Sequence, residues 1–159
     1  MIGNIYTKNK NVVKKEQNSF HIALQNAKYP ILISLFVTPI RFTLEKIGLS
    51  ENVIFIIGLL WLTLGFSIYW GIKLYKQKSS LLILLLSLII FSPISRIPVF
   101  ILWWITKTYN LGSHYDIFDN WTQALVGQLF YGALVQIVPG FLIGSITIVV
   151  MKYNAKLVK

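Results

Sequence analysis

The 159-residue sequence has no cysteine. That excludes disulfide exchange, thiolate catalysis, iron–sulfur clusters and cysteine-ligated zinc, whatever the compartment. Histidine is nearly as scarce, with His21 and His114 alone, and the 5 acids face 15 lysines and arginines. Charge of any sign is low. Ordinary soluble domains devote about a quarter of their residues to it, whereas here charged residues make up 13% and apolar ones 55%. The spacings of a P-loop, a zincin helix, a nucleophile elbow and an EF-hand are all missing. So are internal repeats and the inverted halves of many transporters.

What the sequence has instead is long uncharged runs. Residues 53–72 hold no formal charge before Lys73, and 124–151 none before Lys152. Each meets the roughly 20 residues that a helix needs to cross about 30 Å of hydrocarbon. Residues 81–105 are also long enough, but Pro93, Arg96 and Pro98 interrupt them. Each proline removes a backbone donor and clashes with the preceding turn, which predicts a third helix kinked or broken there. Residues 30–49 form a weaker span, because Pro39, Arg41 and Glu45 follow about ten apolar positions.

Charge decides the topology. If all four segments cross, Lys8, Lys10, Lys14, Lys15, Lys28, Lys73, Lys76, Lys78, Lys152, Lys156 and Lys159 share one side, and only Lys46 and Lys107 lie in the opposite loops. That distribution obeys the positive-inside rule, and a three-span arrangement would scatter it. The expectation is an all-α integral membrane four-helix bundle with both termini in the cytoplasm. Residues 1–28 would be a basic cytoplasmic segment, with an interfacial helix over Val13, Phe20, Leu24 and Ala27, and residues 29–159 the transmembrane domain. The amino-terminal segment lacks the apolar core and cleavage site of a signal peptide. Together these features suit a bacterial cytoplasmic membrane. Its anionic lipids would reward the basic face by on the order of 1 kcal/mol per lysine, which leaves nucleic acid as an unneeded partner. His21 and His114 fall on opposite sides, so one chain supplies no bis-histidine haem, and no cofactor or metal is expected.

Within the spans the polar groups gather toward the outer leaflet. Arg41 lies at mid to outer depth, Glu45 one turn beyond it, Arg96 in the outer third of the third span and Gln128 near the outer end of the last. Intramembrane charges are costly unless paired or hydrated, so they face a bundle interior or a water-filled cavity. The sharp reading is an outward-opening pocket in which Arg41 and Arg96 hold an anionic group such as a lipid phosphate. The bland one pairs Arg41 with Glu45 and lets Arg96 satisfy the carbonyls freed by Pro93 and Pro98.

The last span carries a strict four-residue row, Ala124, Gln128, Gly132, Gln136, Gly140 and Gly144, which includes a GxxxG element. Small residues on that ridge admit another helix closely, either within the chain or in a protein partner or second copy. Thr63, Ser67 and Gly71 form a weaker row on the second span.

The loop before the last span holds His114, Asp116 and Asp119, the one compact set of acid–base candidates outside the spans. Ser113 and Asp116 have capping-box spacing, so a helix starting there is the simpler reading. Three function classes fit. A non-catalytic accessory or assembly subunit with a lipid-binding outer pocket asks least of the residues. A membrane enzyme acting on a lipid at the outer leaflet would need His114 or Asp116 as acid–base groups. A channel or carrier would need several copies.

Overall fold

The structure, a computed structural model, describes residues 2–50, 54, 57–113 and 117–157, with side chains from residue 18 onward. Among the described residues it is all-α: α1 (Ile2–Lys46), α2 (Leu59–Leu74), α3 (Ser80–Tyr109) and α4 (Trp121–Leu157). Among the described residues, α3 and α4 are the helices long and apolar enough to cross a membrane.

Three sequence expectations are corrected. The basic segment and the first span are one element, because α1 runs 45 residues without interruption through Pro30 and Pro39. Its buried positions Ser19, Ala23, Asn26, Ala27, Pro30, Ser34 and Thr38 make a near-continuous row of mostly small residues, so Pro30 falls on the packed face, where neighbouring helices and hydroxyls compensate for lost backbone bonds, while Pro39 is exposed. Ser34 Oγ donates to the Ile31 carbonyl at 2.7 Å, and Thr43 Oγ1 to that of Pro39 at 3.0 Å. Helix α3 is helical through Pro93 and Pro98, so of the kink or break expected there the break is excluded. Finally, α2 begins at Leu59 rather than residue 53, while residues 51–53 and 55–56 lie outside the described set. At about 1.5 Å per residue it spans about 24 Å, less than a full hydrocarbon core of about 30 Å.

Helix α1 packs chiefly on α3, α3 on α4, and α4 on α2, with lesser contacts between sequence neighbours. Polar ties show which ends meet. At one end Lys73 Nζ donates to Asn26 Oδ1 at 3.1 Å and Lys152 Nζ to Ser80 Oγ at 3.0 Å. At the other, Lys46 Nζ donates to the carbonyls of Leu111 and Gly112 at 2.6 and 2.8 Å, and Trp103 Nε1 to that of Phe118 at 3.1 Å. Successive helices therefore run up and down, and Lys28, Lys73, Lys76, Lys78, Lys152 and Lys156 gather at one end.

The core has two apolar clusters. One, at the lysine-rich end, contains Ala23, Ala27, Trp70, Leu74, Ile83, Leu84, Leu88, Phe91 and Ile148, with Trp70 meeting Phe91 edge-on. The other, toward the opposite end, holds Leu59, Val99, Leu102, Trp103 and Ala124. Outside, Phe36, Ile94, Ile101, Val138, Leu142, Ile146 and Val149 are exposed along the helices and form an apolar perimeter.

Helix α4 holds the least expected feature. It opens with an α-turn (Trp121–Leu125), widens into a π-helical segment (Val126–Tyr131) and returns to α (Gly132–Leu157). A four-residue step overshoots one α-turn by about 40°, while the wider π-turn makes the same step fall short. The two offset each other, which keeps Ala124, Gln128, Gln136, Gly140 and Gly144 all buried.

Candidate functional site

A cavity of about 290 Å³ lies beside the second apolar cluster, lined by groups from all four helices. Helix α1 contributes Arg41, α3 contributes Arg96 and Val99, and α4 contributes Gln128 and Val135. The remaining wall is the start of α2, from its N-cap Gly58 through Trp61, and Ile117 of the loop before α4.

Each polar group is held by a local feature. Arg41 sits on the last turns of α1, half-buried, with its Nε shielded from solvent and without a hydrogen-bond partner among the described residues. Arg96 lies flat on Gly132: a Cβ at that glycine would meet Nη1 at 3.0 Å, Cζ at 3.1 Å and Nε at 3.2 Å. Its Nη1 also donates to Gln128 Oε1 across 3.4 Å, a long and correspondingly weak bond. Gln128 is buried on the π-helical segment, a kind of local widening that is frequent at functional sites. On its other side Gly127 gives way to the Phe118 ring, which occupies the place of a side chain there. The glycines at 127 and 132 thus let the loop and the guanidinium press against α4.

Helix α2 adds to the electrostatics. It starts at the cavity, and Gly58 offers no side-chain cap, so the partial positive charge of a helix N-terminus falls where the two arginines already converge. The described lining contains hydrogen-bond donors and aliphatic walls, with no carboxylate or imidazole among the described residues.

The other sequence-derived candidates are placed elsewhere. Glu45 is half-buried one turn beyond Arg41 but does not line the cavity. His114 and Asp116 lie outside the described residues. Asp119 is exposed in the cap of α4: Asn120 Oδ1 accepts from the Gln123 backbone N–H at 2.9 Å, and Gln123 Oε1 accepts from that of Asp119 at 3.3 Å. The described helix therefore starts from Asn120, while the expected start at Ser113, whose hydroxyl lies 3.4 Å from Thr106 Oγ1, leads into residues outside the described set.

The four-residue row on α4 is spent inside the chain. A Cβ at Gly140 would meet Ser67 Oγ at 2.9 Å and Leu88 Cδ2 at 3.0 Å, and one at Gly144 would meet Leu84 Cδ2 at 2.7 Å and the Ser67 carbonyl at 3.1 Å. Gly71 of α2 lies equally close to the Gly144 carbonyl and Thr147. The two small-residue rows face each other, so this ridge is not a surface held open for a partner. Gln136, fully buried, meets Ser95 Oγ at 3.2 Å, while that hydroxyl also donates to the Ser92 carbonyl at 2.8 Å. Gln136 had stood out by spacing alone. Ser95, Val135 and the start of α2 carried no signal, since an apolar wall becomes part of a site only through tertiary position.

No family model, curated protein or solved structure matches the chain.

Proposed function

We propose that this chain is a small integral membrane protein of the accessory kind, which holds an anionic headgroup in an outward-facing cavity and performs no chemistry of its own. The observation that carries the reading is the convergence of Arg41 and Arg96, from two different helices, on one cavity of about 290 Å³. Two guanidinium groups offer paired hydrogen bonds to phosphate or carboxylate oxygens.

Membrane insertion is supported by the two long apolar helices and by the exposed aliphatic perimeter. Four crossings with both termini inside follow from the gathering of lysines at the end opposite the cavity, and a bacterial cytoplasmic membrane is the setting that such a basic inner face suits. The short α2 fits by local thinning of the bilayer and by Lys73 reaching toward the headgroups.

The test is purification in mild detergent followed by native mass spectrometry. Wild-type protein is expected to carry an anionic lipid, and Arg41→Gln and Arg96→Gln to lose it while remaining folded and monodisperse. Equal lipid retention in all three would refute the reading.

A further inference from the structure

One turn deeper than the cavity, polar side chains of three helices lie at a common depth inside the bundle. We infer that they hold internal water, at a site separate from the cavity and independent of what the cavity binds.

The depth follows from contacts on both sides of α3. Toward α4, Ser95 Oγ meets Gln136 Oε1 at 3.2 Å, and Gln136 stands one turn beyond Gly132, on which Arg96 lies. Toward α1, Arg41 and Arg96 share the cavity, while Ala27 and Leu84 share the core cluster of the lysine-rich end. The two helices run parallel, so counting along them from either pair brings Thr38 level with the stretch from Ser92 to Ser95. Helix α1 packs chiefly on α3. Its buried Thr38 therefore belongs to the same layer.

Within that layer the hydrogen bonding is incomplete. Thr38, Ser92 and Gln136 are 2%, 0% and 0% exposed, yet Thr38 Oγ1, Ser92 Oγ and Gln136 Nε2 have no hydrogen-bond partner among the described residues. Elsewhere in the bundle buried hydroxyls close onto their own helix, as Thr63 does on the Leu59 carbonyl and Ser87 on that of Ile83. Ser95 does not make up the shortage. It has one proton, and its nearer acceptor is the Ser92 carbonyl, at 2.8 Å against 3.2 Å for Gln136 Oε1. Turned end for end, the Gln136 amide donates to Ser95 Oγ and leaves its oxygen over instead of its nitrogen. Either orientation keeps one buried amide atom for another partner.

The mixture of groups selects the ligand. Buried polar atoms are nearly always hydrogen-bonded, to protein or to ordered water, and internal waters typically make about three such bonds. Two hydroxyls that both donate and accept, and an amide that presents either an N–H or an oxygen, suit a molecule that does both. A metal cation takes oxygens alone and gives nothing to an N–H donor. An apolar molecule would leave all three groups unmet.

The test is a crystal structure of the full chain grown in lipid mesophase, at a resolution that shows ordered water, for wild type, Gln136→Met and Ser87→Ala. Wild type should show at least one water within hydrogen-bond distance of the Gln136 amide and of the Ser92 or Thr38 hydroxyl. Gln136→Met keeps the length of the side chain and removes both amide atoms, so it should lose that water, whereas Ser87→Ala should retain it. Water-edited solid-state NMR of wild type in bilayers gives a reading that needs no variant. There the Gln136 side-chain nitrogen should gain signal from water several-fold faster than the backbone nitrogens of Leu84 and Leu88 in the apolar cluster. The inference is overturned by Thr38 and Ser92 turned back onto their own helices with no solvent beside them, or by a Gln136 signal as slow as that of Leu84. Density ringed by oxygens alone at about 2.4 Å, the mark of a bound cation, or water kept in Gln136→Met, would overturn it as well.

Discussion

At the lysine-rich end of the bundle, α2, α3 and α4 touch through glycines and hydroxyls, and the hydroxyls return to their own helices: Ser67 to the Thr63 carbonyl, Ser87 to that of Ile83, Thr147 to that of Ile143. At the opposite end α2 begins late, α4 widens into a π-turn, and two arginines surround open volume. Both ends use glycine, for different purposes. Gly140 and Gly144 let helices meet, so the space that they provide is filled with protein. Gly127 and Gly132 let Phe118 and Arg96 lie against α4, so the space that they provide orients a charged group at the edge of a cavity. Close packing joins the helices at one end, and interrupted packing leaves open volume at the other.

Substitutions should separate the two roles. The largest effect is expected for Gly144→Leu, because a first carbon there already approaches Leu84 and the Ser67 carbonyl, and a backbone atom cannot yield as a side chain can. The bundle should lose about 3 kcal/mol or become unfoldable, read as unfolding temperature in detergent. A stable Gly144→Leu bundle would show that the rows do not hold the helices together. Gly132→Ala should act in the opposite sense. The colliding group is the end of the Arg96 side chain, which can move, so stability should change by less than about 1 kcal/mol while anionic-lipid retention falls several-fold. Equal losses in both quantities would erase the distinction between the ends. Asn120→Ala removes the α4 cap, with an expected cost of about 1 kcal/mol confined to faster amide exchange over residues 121–125. Acceleration spreading to residues 80–90 would mean that the ends are coupled.

Much of this contrast was legible in the sequence. The positions of Arg41, Arg96 and Gln128 along their spans placed them at similar depth, and depth is what brought them to one cavity. The four-residue rows on α2 and α4 were visible as spacing, but whether they met each other or another chain depended on which helices are neighbours, a property that neither run contains. The break allowed for at Pro93 and Pro98 is absent, because proline's local cost was weighed without the packing that compensates for it. The late start of α2 lay hidden in a uniformly apolar run, where hydropathy has no feature to mark a boundary. The π-segment left no trace in residue type, since Val126 to Tyr131 reads as ordinary helix. What escaped was tertiary in origin: where a helix stops against its neighbours, and how a turn widens to keep a row facing inward.

The absence of native cysteine makes one measurement especially direct. In an Arg41→Cys/Arg96→Cys double variant, a short membrane-impermeant bis-maleimide applied to intact cells should link the two sulfurs within one chain and show a single added mass. Two separate adducts, or labelling achieved only after the cytoplasmic face is opened, would contradict a shared outward-facing cavity.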